Sequence, residues 1–157
     1  MDSYRLSVAI GTMLRKEVSR FGRLWSQTLL PSVVTTVLYF AIFGKFIGSQ
    51  VQPIDGVSYI QFIVAGLVMM AVIMNSFQNV IASFFFSKFQ RSIEEMLVSP
   101  LPYWALVAGY ILGGLMRGLA VGVLVLLTAL FFTKLSIFNL WFVIAFIILT
   151  SVFFSLL

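Results

Sequence analysis

The stretch YWALVAGYILGGLMRGLAVGVLVLLTALFF, residues 103–132, contains a single charged side chain, Arg117. A helix of this length extends about 45 Å, whereas the hydrocarbon core of a bilayer is roughly 30 Å thick. So long an apolar run is typical of a transmembrane helix and not of a soluble domain. The stretch therefore predicts a span that tilts, kinks or protrudes from the membrane.

The rest of the chain repeats this pattern. Three further apolar runs, at residues 28–47, 59–85 and 137–157, predict three more spans. The 157 residues are 61% hydrophobic and 10% charged, while soluble domains have about a quarter charged residues. We therefore expect one all-α domain, a polytopic helical membrane protein. Because the last run is still apolar at Leu157, we expect the N-terminal part of a longer protein.

Residues 4–25 predict a basic amphipathic helix. Apolar residues recur there at three- and four-residue spacing along one face, and the other side is basic. The cations proposed to meet headgroups are Arg15, Lys16, Arg20 and Arg23. Such a helix lies in the membrane interface with its apolar side in acyl chains. The alternative is a simple basic flank of the first span.

The distribution of basic residues predicts the orientation. Five Lys and Arg residues precede the first span and two follow the second, whereas each opposite loop carries one. The positive-inside rule therefore puts the N-terminus in the cytoplasm. The net charge of +5 reflects this flank, so it does not indicate nucleic-acid binding.

Five glycines recur in two linked series within the 103–132 span. They are Gly109, Gly113, Gly114, Gly118 and Gly122. Glycines four residues apart let a second helix approach closely. The series predicts a tight helix–helix or subunit interface, which either slides during a conformational cycle or packs statically.

Polar side chains inside the spans are candidate pathway residues. Arg117 lies about 20 Å along its helix, and a charge at such depth marks either a functional site or a structural bond to carbonyls. Asn75, Gln78 and Asn79 form a polar stripe in the second span. The stripe either joins helices through hydrogen bonds or lines a wet cavity.

The stretch SKFQRSIEEMLVSPLP, residues 87–102, predicts a short cytoplasmic helix at 87–99. Ser87 and Gln90 fit a capping box, and the prolines end the helix. Apolar residues share one face, and Arg91 is spaced to support Glu94 and Glu95 on the other. The ordinary alternative is an interfacial loop helix without a partner.

The sequence excludes several chemistries. It contains no His, no Cys and no GxxxxGK[ST] phosphate loop. No carboxylate lies within the predicted spans, so an acidic proton relay is not visible. We expect no enzyme activity, no metal site and no cofactor in this chain.

Three motifs carry a resemblance to a known family. The pattern FQRSIEEMLVSPLP before the glycine-rich span, KEVSRFGRLWSQTLLPSV and YIQFIVAGLVMM resemble the ABC-2 type transport permeases, in their YadH-like bacterial inner-membrane branch. The resemblance covers essentially the whole chain. It implies a homodimeric inner-membrane permease of six spans, four of them here, driven by a separate ABC ATP-binding subunit that binds ATP and Mg.

By this resemblance, the short helix is the coupling helix that docks on the ATPase. The residues expected at that contact are Phe89, Arg91, Glu94, Glu95, Met96 and Leu97. The implied activity is export of an amphiphilic, lipid-linked, polysaccharide or drug-like substrate. The alternatives are a secondary transporter or channel driven by an ion gradient, and a membrane assembly factor that transports nothing.

Overall fold

The computed structural model describes residues 3–23, 25–47, 58–98, 102–132 and 139–157, and these ranges are helical almost throughout. The helices are α1 (Ser3–Arg23), α2 (Trp25–Tyr39), α3 (Tyr59–Phe89), α4 (Ser92–Val98), α5 (Tyr103–Phe132) and α6 (Leu140–Leu156). A π-helical segment, Phe40–Ile47, extends α2. The expectation of an all-α protein is confirmed for the described ranges.

Helix α5 packs closely against α3 and α6, and also against α1, because its glycines allow close approach. A Cβ on Gly114 would meet Val80 and Ser155, and one on Gly122 would meet Val72 and Ile147. As the residue number increases along α5, the numbers of the contacting residues in α3 and α6 decrease. Both helices therefore run antiparallel to α5 and pack against its glycines. We name Gly109, Gly113, Gly114, Gly118 and Gly122 the glycine stripe.

Helix α1 packs beside α5 in the same direction. Gly109 lies under Met13, and Gly113 lies under Glu17, so both helices advance together. The buried face of α1 includes Glu17, which is 5% exposed. Arg20, one of the cations predicted to meet headgroups, therefore contacts protein. The placement of α1 in the membrane interface stays a prediction.

An apolar cluster joins α3, α5 and α6 to the end of α2. Val72, Val121 and Val125 are fully buried in it. Phe40 stacks on Phe132 with ring centroids 5.7 Å apart. Pro31 lies inside α2, which begins at Trp25.

The junction between α3 and α4 differs from the predicted capping box. Ser87 is buried inside α3, and Gln90 is the C-cap of that helix. The break comes one residue later, where Arg91 adopts a left-handed backbone with φ 57°. The short helix therefore begins at Ser92. The predicted start at Ser87 is wrong because the apolar spacing continues unbroken from α3 past the cap.

Three helices in the described ranges are long and apolar enough to cross a membrane: Trp25–Phe43, Tyr59–Phe89 and Tyr103–Phe132. The apolar segment Trp141–Leu156 is shorter, so the fourth span stays a prediction. The predicted end of the short helix at position 99, the proline that follows it and the first two positions of the 137–157 run lie outside the described residues.

Candidate functional site

An ion pair on α1, whose carboxylate is buried, hydrogen-bonds to α3. The Arg20 guanidinium lies 2.8 Å from Glu17 Oε2, one turn earlier on the same helix. Ser83 of α3 donates a short hydrogen bond to the other carboxylate oxygen. Both oxygens of Glu17 are thus satisfied, as a buried carboxylate requires.

Asn79 connects this ion pair to Arg117. Arg20 donates to the Asn79 side-chain oxygen at 3.1 Å and to its backbone carbonyl at 3.3 Å. Arg117 donates to the same side-chain oxygen at 3.4 Å. Two guanidiniums and one carboxylate therefore meet at a single amide between α1, α3 and α5. We name Glu17, Arg20, Asn79, Ser83 and Arg117 the polar cluster.

The polar cluster is not fully satisfied. Across the described ranges, the buried Nε of Arg117 has no hydrogen-bond partner. A buried guanidinium nitrogen without a partner is costly. Arg117 therefore retains an open donor beside an excess of one positive charge.

The three amides of the predicted stripe do different things. Asn75 is buried and donates to the carbonyl of Ala71 in its own helix at 2.9 Å. Asn79 joins helices through the polar cluster. Gln78 is exposed on an open apolar groove along α3, beside Phe77 and Ile81. The stripe is thus divided between two faces of α3.

Serines meet the glycine stripe where α3, α5 and α6 converge. Ser76 and Ser151 hydrogen-bond each other at 2.6 Å, and both are fully buried. A Cβ on Gly118 would contact both hydroxyls. Ser155 faces Gly114, and its buried hydroxyl has no partner within the described ranges. Small side chains here match the close packing.

Helix α4 exposes most of its surface. Glu94 and Glu95 are exposed, and so are Leu97 at 51% and Val98 at 87%. Phe89, at the end of α3, is 76% exposed. The surface combines two carboxylates with large apolar side chains. Such an exposed mixture suits docking to a partner protein.

One predicted feature of this segment needs correction. No ion pair joins Arg91 to Glu94 or Glu95 within the described ranges, because the left-handed backbone takes Arg91 out of helical register. Met96 is only partly exposed. Its sulfur lies 3.9 Å from the hydroxyl of Tyr110 in α5.

The sequence did not single out Glu17 or Tyr110 as site residues. Glu17 was counted as lying outside the spans, and its only visible signal was a lone acid in a basic helix. Tyr110 donates to Ser87 at 3.1 Å, a contact between residues 23 apart in sequence. Helical periodicity predicts neither the contact of Glu17 with Ser83 nor that of Tyr110 with Ser87, because each contact joins two different helices.

In the described part of the chain, no three His, Cys, Asp or Glu residues cluster to hold a metal ion. The basic residues Arg15, Lys16 and Arg23 are exposed along α1. The features with functional potential are therefore the polar cluster, the glycine stripe and the exposed α4.

Comparison with known proteins agrees with this arrangement. The chain is 51% identical over 149 residues to the Inner membrane transport permease YadH of Escherichia coli K12. The proteins of that name from Escherichia coli O157:H7 and Shigella flexneri match equally. The alignment covers 95% of this chain and 58% of each relative. No solved structure matches.

The sequence profile of one family extends across nearly all the described helices. It matches residues 8–157, from within α1 to the end of α6. That range includes the polar cluster, the glycine stripe and α4. The chain belongs to the ABC-2 type transporter family.

Proposed function

We propose that this chain is the membrane-spanning portion of an ABC exporter, located in a bacterial inner membrane with its N-terminus in the cytoplasm. Family membership supports a transporter subunit. The name of the relatives, inner membrane transport permease, supports the location. Apolar helices α2, α3 and α5 are long enough to span. In this proposal α6 is a fourth span, and α1 is an interface helix.

The energy source in this proposal is a separate subunit. The sequence has no GxxxxGK[ST] loop, so ATP and Mg bind on a soluble ABC ATPase. Two copies of the permease pair as a homodimer, each docked to one ATPase. The substrate is an amphiphilic, lipid-linked, polysaccharide or drug-like compound exported from the cell.

One observation carries the proposal: the exposed surface of α4. This helix lies between α3 and α5, the two longest spans, so a force applied to it reaches both. Its carboxylates, Glu94 and Glu95, and its exposed Leu97 offer charge and apolar area to a partner. Mixed surfaces of this kind form the cores and rims of protein interfaces.

Charge reversal tests this docking. We expect the double variant Glu94→Lys, Glu95→Lys to lose co-purification with the ATPase, because juxtaposed like charges oppose docking. The matched control is Asp55→Lys, which reverses a carboxylate preceding the opposite end of α3. Pull-down of the tagged permease, with ATP hydrolysis measured on the eluate, compares the variants.

The outcome separates the competing functions. Undiminished association of the double variant contradicts docking through α4. Transport that continues without any ATPase, and stops when the ion gradient is collapsed, identifies a secondary transporter instead. A protein that recruits no ATPase and moves no substrate is an assembly factor.

A further inference from the structure

One hydroxyl joins three helices where α4 meets the membrane-spanning part of the chain. Tyr110 of α5 is 6% exposed. Its hydroxyl lies 3.1 Å from Ser87 Oγ near the end of α3 and 3.9 Å from Met96 Sδ in α4. A buried tyrosine hydroxyl normally has a polar partner, and this one reaches two other helices.

Ser87 receives contacts from both sides of the junction. Its hydroxyl accepts from Tyr110, and its backbone carbonyl accepts from Ser92 Oγ at 3.2 Å. Helix α4 has no buried side chain of its own within the described residues. Tyr110 contacts α4 at Met96, and it contacts the end of α3 at Ser87, to which Ser92 of α4 is also hydrogen-bonded.

The Tyr110 ring cannot follow a moving α4 independently of α5. Phe84 packs edge-on against it with ring centroids 6.1 Å apart. Close packing restricts a buried ring to its rotamer. A displacement of Met96 or Ser87 is therefore transmitted to the backbone of α5.

We propose that Tyr110 is a positioning residue that transmits motion of α4 to α5, with Ser87 as its partner. This inference rests on the proposed function, since an ATPase must move α4. It adds a specific path: from α4 through one hydroxyl to the glycine-bearing helix. Force reaches α5 through the Tyr110 hydroxyl, from Met96 in α4 and from Ser87 at the end of α3.

The test separates motion of α5 from ATP hydrolysis. Phe131 lies near the far end of α5 and is 91% exposed, so Phe131→Cys accepts a bimane label. The chain has no native cysteine to compete. The labelled permease with its ATPase is reconstituted in nanodiscs of Escherichia coli polar lipids. Emission is recorded before and after addition of ATP, Mg and vanadate.

Tyr110→Phe keeps the ring and removes the hydroxyl. We expect it to reduce the nucleotide-dependent emission change about five-fold, the effect of losing one hydrogen bond. The rate of ATP hydrolysis should stay within about two-fold of wild type. The matched control is Tyr103→Phe at an exposed position of α5, which should alter neither readout.

Ser87→Ala identifies the partner. If the two hydroxyls act through one bond, Ser87→Ala and the double variant should both resemble Tyr110→Phe, because the effects are not additive. An unchanged emission response in Tyr110→Phe overturns the inference. A loss of emission change and hydrolysis in equal proportion also overturns it, since that indicates a structural role only.

Failure of the proposed function has a different signature. If the wild-type permease recruits no ATPase, the proposed function fails and this inference fails with it. If the wild-type complex forms and hydrolyses ATP without any emission change, docking stands. In that case transmission to α5 is wrong.

Discussion

At the scale of single residues, the polar cluster shows how a membrane protein holds charges between helices. Glu17 is its one carboxylate, and both of its oxygens are engaged by Arg20 and Ser83. Arg117 and Arg20 share the oxygen of Asn79. Loss of Glu17 leaves two cations facing one amide. The carboxylate therefore stabilises the cluster more than either arginine does alone.

We expect Glu17→Gln to lower the free energy of unfolding by about 1–3 kcal/mol, because the partly buried Arg20 guanidinium loses its counter-ion and the buried Ser83 hydroxyl loses a charged acceptor. The side chain keeps its size, so the loss reflects charge and not packing. The measurement is denaturant-induced unfolding in detergent micelles, followed by circular dichroism.

The matched control is Glu94→Gln, since Glu94 is exposed on α4. It should shift stability by no more than about 0.5 kcal/mol. Equal stability of the two variants would show that Glu17 is not in an ion pair.

At the scale of helices, the glycine stripe determines how closely α5 approaches its neighbours. A Cβ at Gly118 would overlap the hydroxyls of Ser76 and Ser151, which bond each other at 2.6 Å. By contrast, a Cβ at Gly66 of α3 meets nothing within 4 Å. The same substitution should therefore have opposite effects at these two sites.

We expect Gly118→Ala to destabilise the protein by about 1–3 kcal/mol, because an overfilled contact separates packed helices. Gly66→Ala should instead stabilise it by about 0.5–1 kcal/mol through helix propensity. Thermal unfolding of both variants in the same detergent gives the comparison. A Gly118→Ala protein as stable as Gly66→Ala would mean that α3 and α6 do not meet α5 there.

The three long apolar helices were predictable because apolar length alone indicates them. The apolar run at 103–132 coincides with α5. The polar cluster was not predictable, because Asn79 lies 59 residues from Arg20 and 38 from Arg117. Local periodicity carries no information on such pairs. The start of α4 was misjudged for a local reason: a left-handed Arg91 leaves no mark in the apolar pattern.

At the scale of the whole molecule, the orientation in the membrane decides whether α4 can reach a cytoplasmic partner. Basic residues lie on α1 and at the end of α3, whereas Lys45 in the π-helical segment and Lys134 are the single cations near the opposite ends of the spans. The positive-inside rule therefore predicts that Lys88 faces the cytoplasm and Gln52 faces outward. Docking of an ATPase to α4 requires this orientation.

Cysteine labelling checks the orientation without removing native thiols, since the chain has none. On intact cells, a membrane-impermeant maleimide should react with Gln52→Cys and leave Lys88→Cys unmodified. After the membrane is permeabilised, both should react. Labelling of Lys88→Cys on intact cells would place α4 outside and exclude a cytoplasmic ATPase as its partner.

The left-handed backbone of Arg91 forms the bend between α3 and α4. A residue with a Cβ is roughly 1–2 kcal/mol less stable in the left-handed conformation than in the right-handed one. Return of Gln90 and Arg91 to ordinary helical angles would join α3 and α4 into one continuous helix. The backbone of Arg91 is therefore less favourable in the bent form than in a continuous helix, and contacts with neighbouring residues must hold the bend. Contacts made by α4, the segment beyond Arg91, therefore decide whether the chain stays bent there.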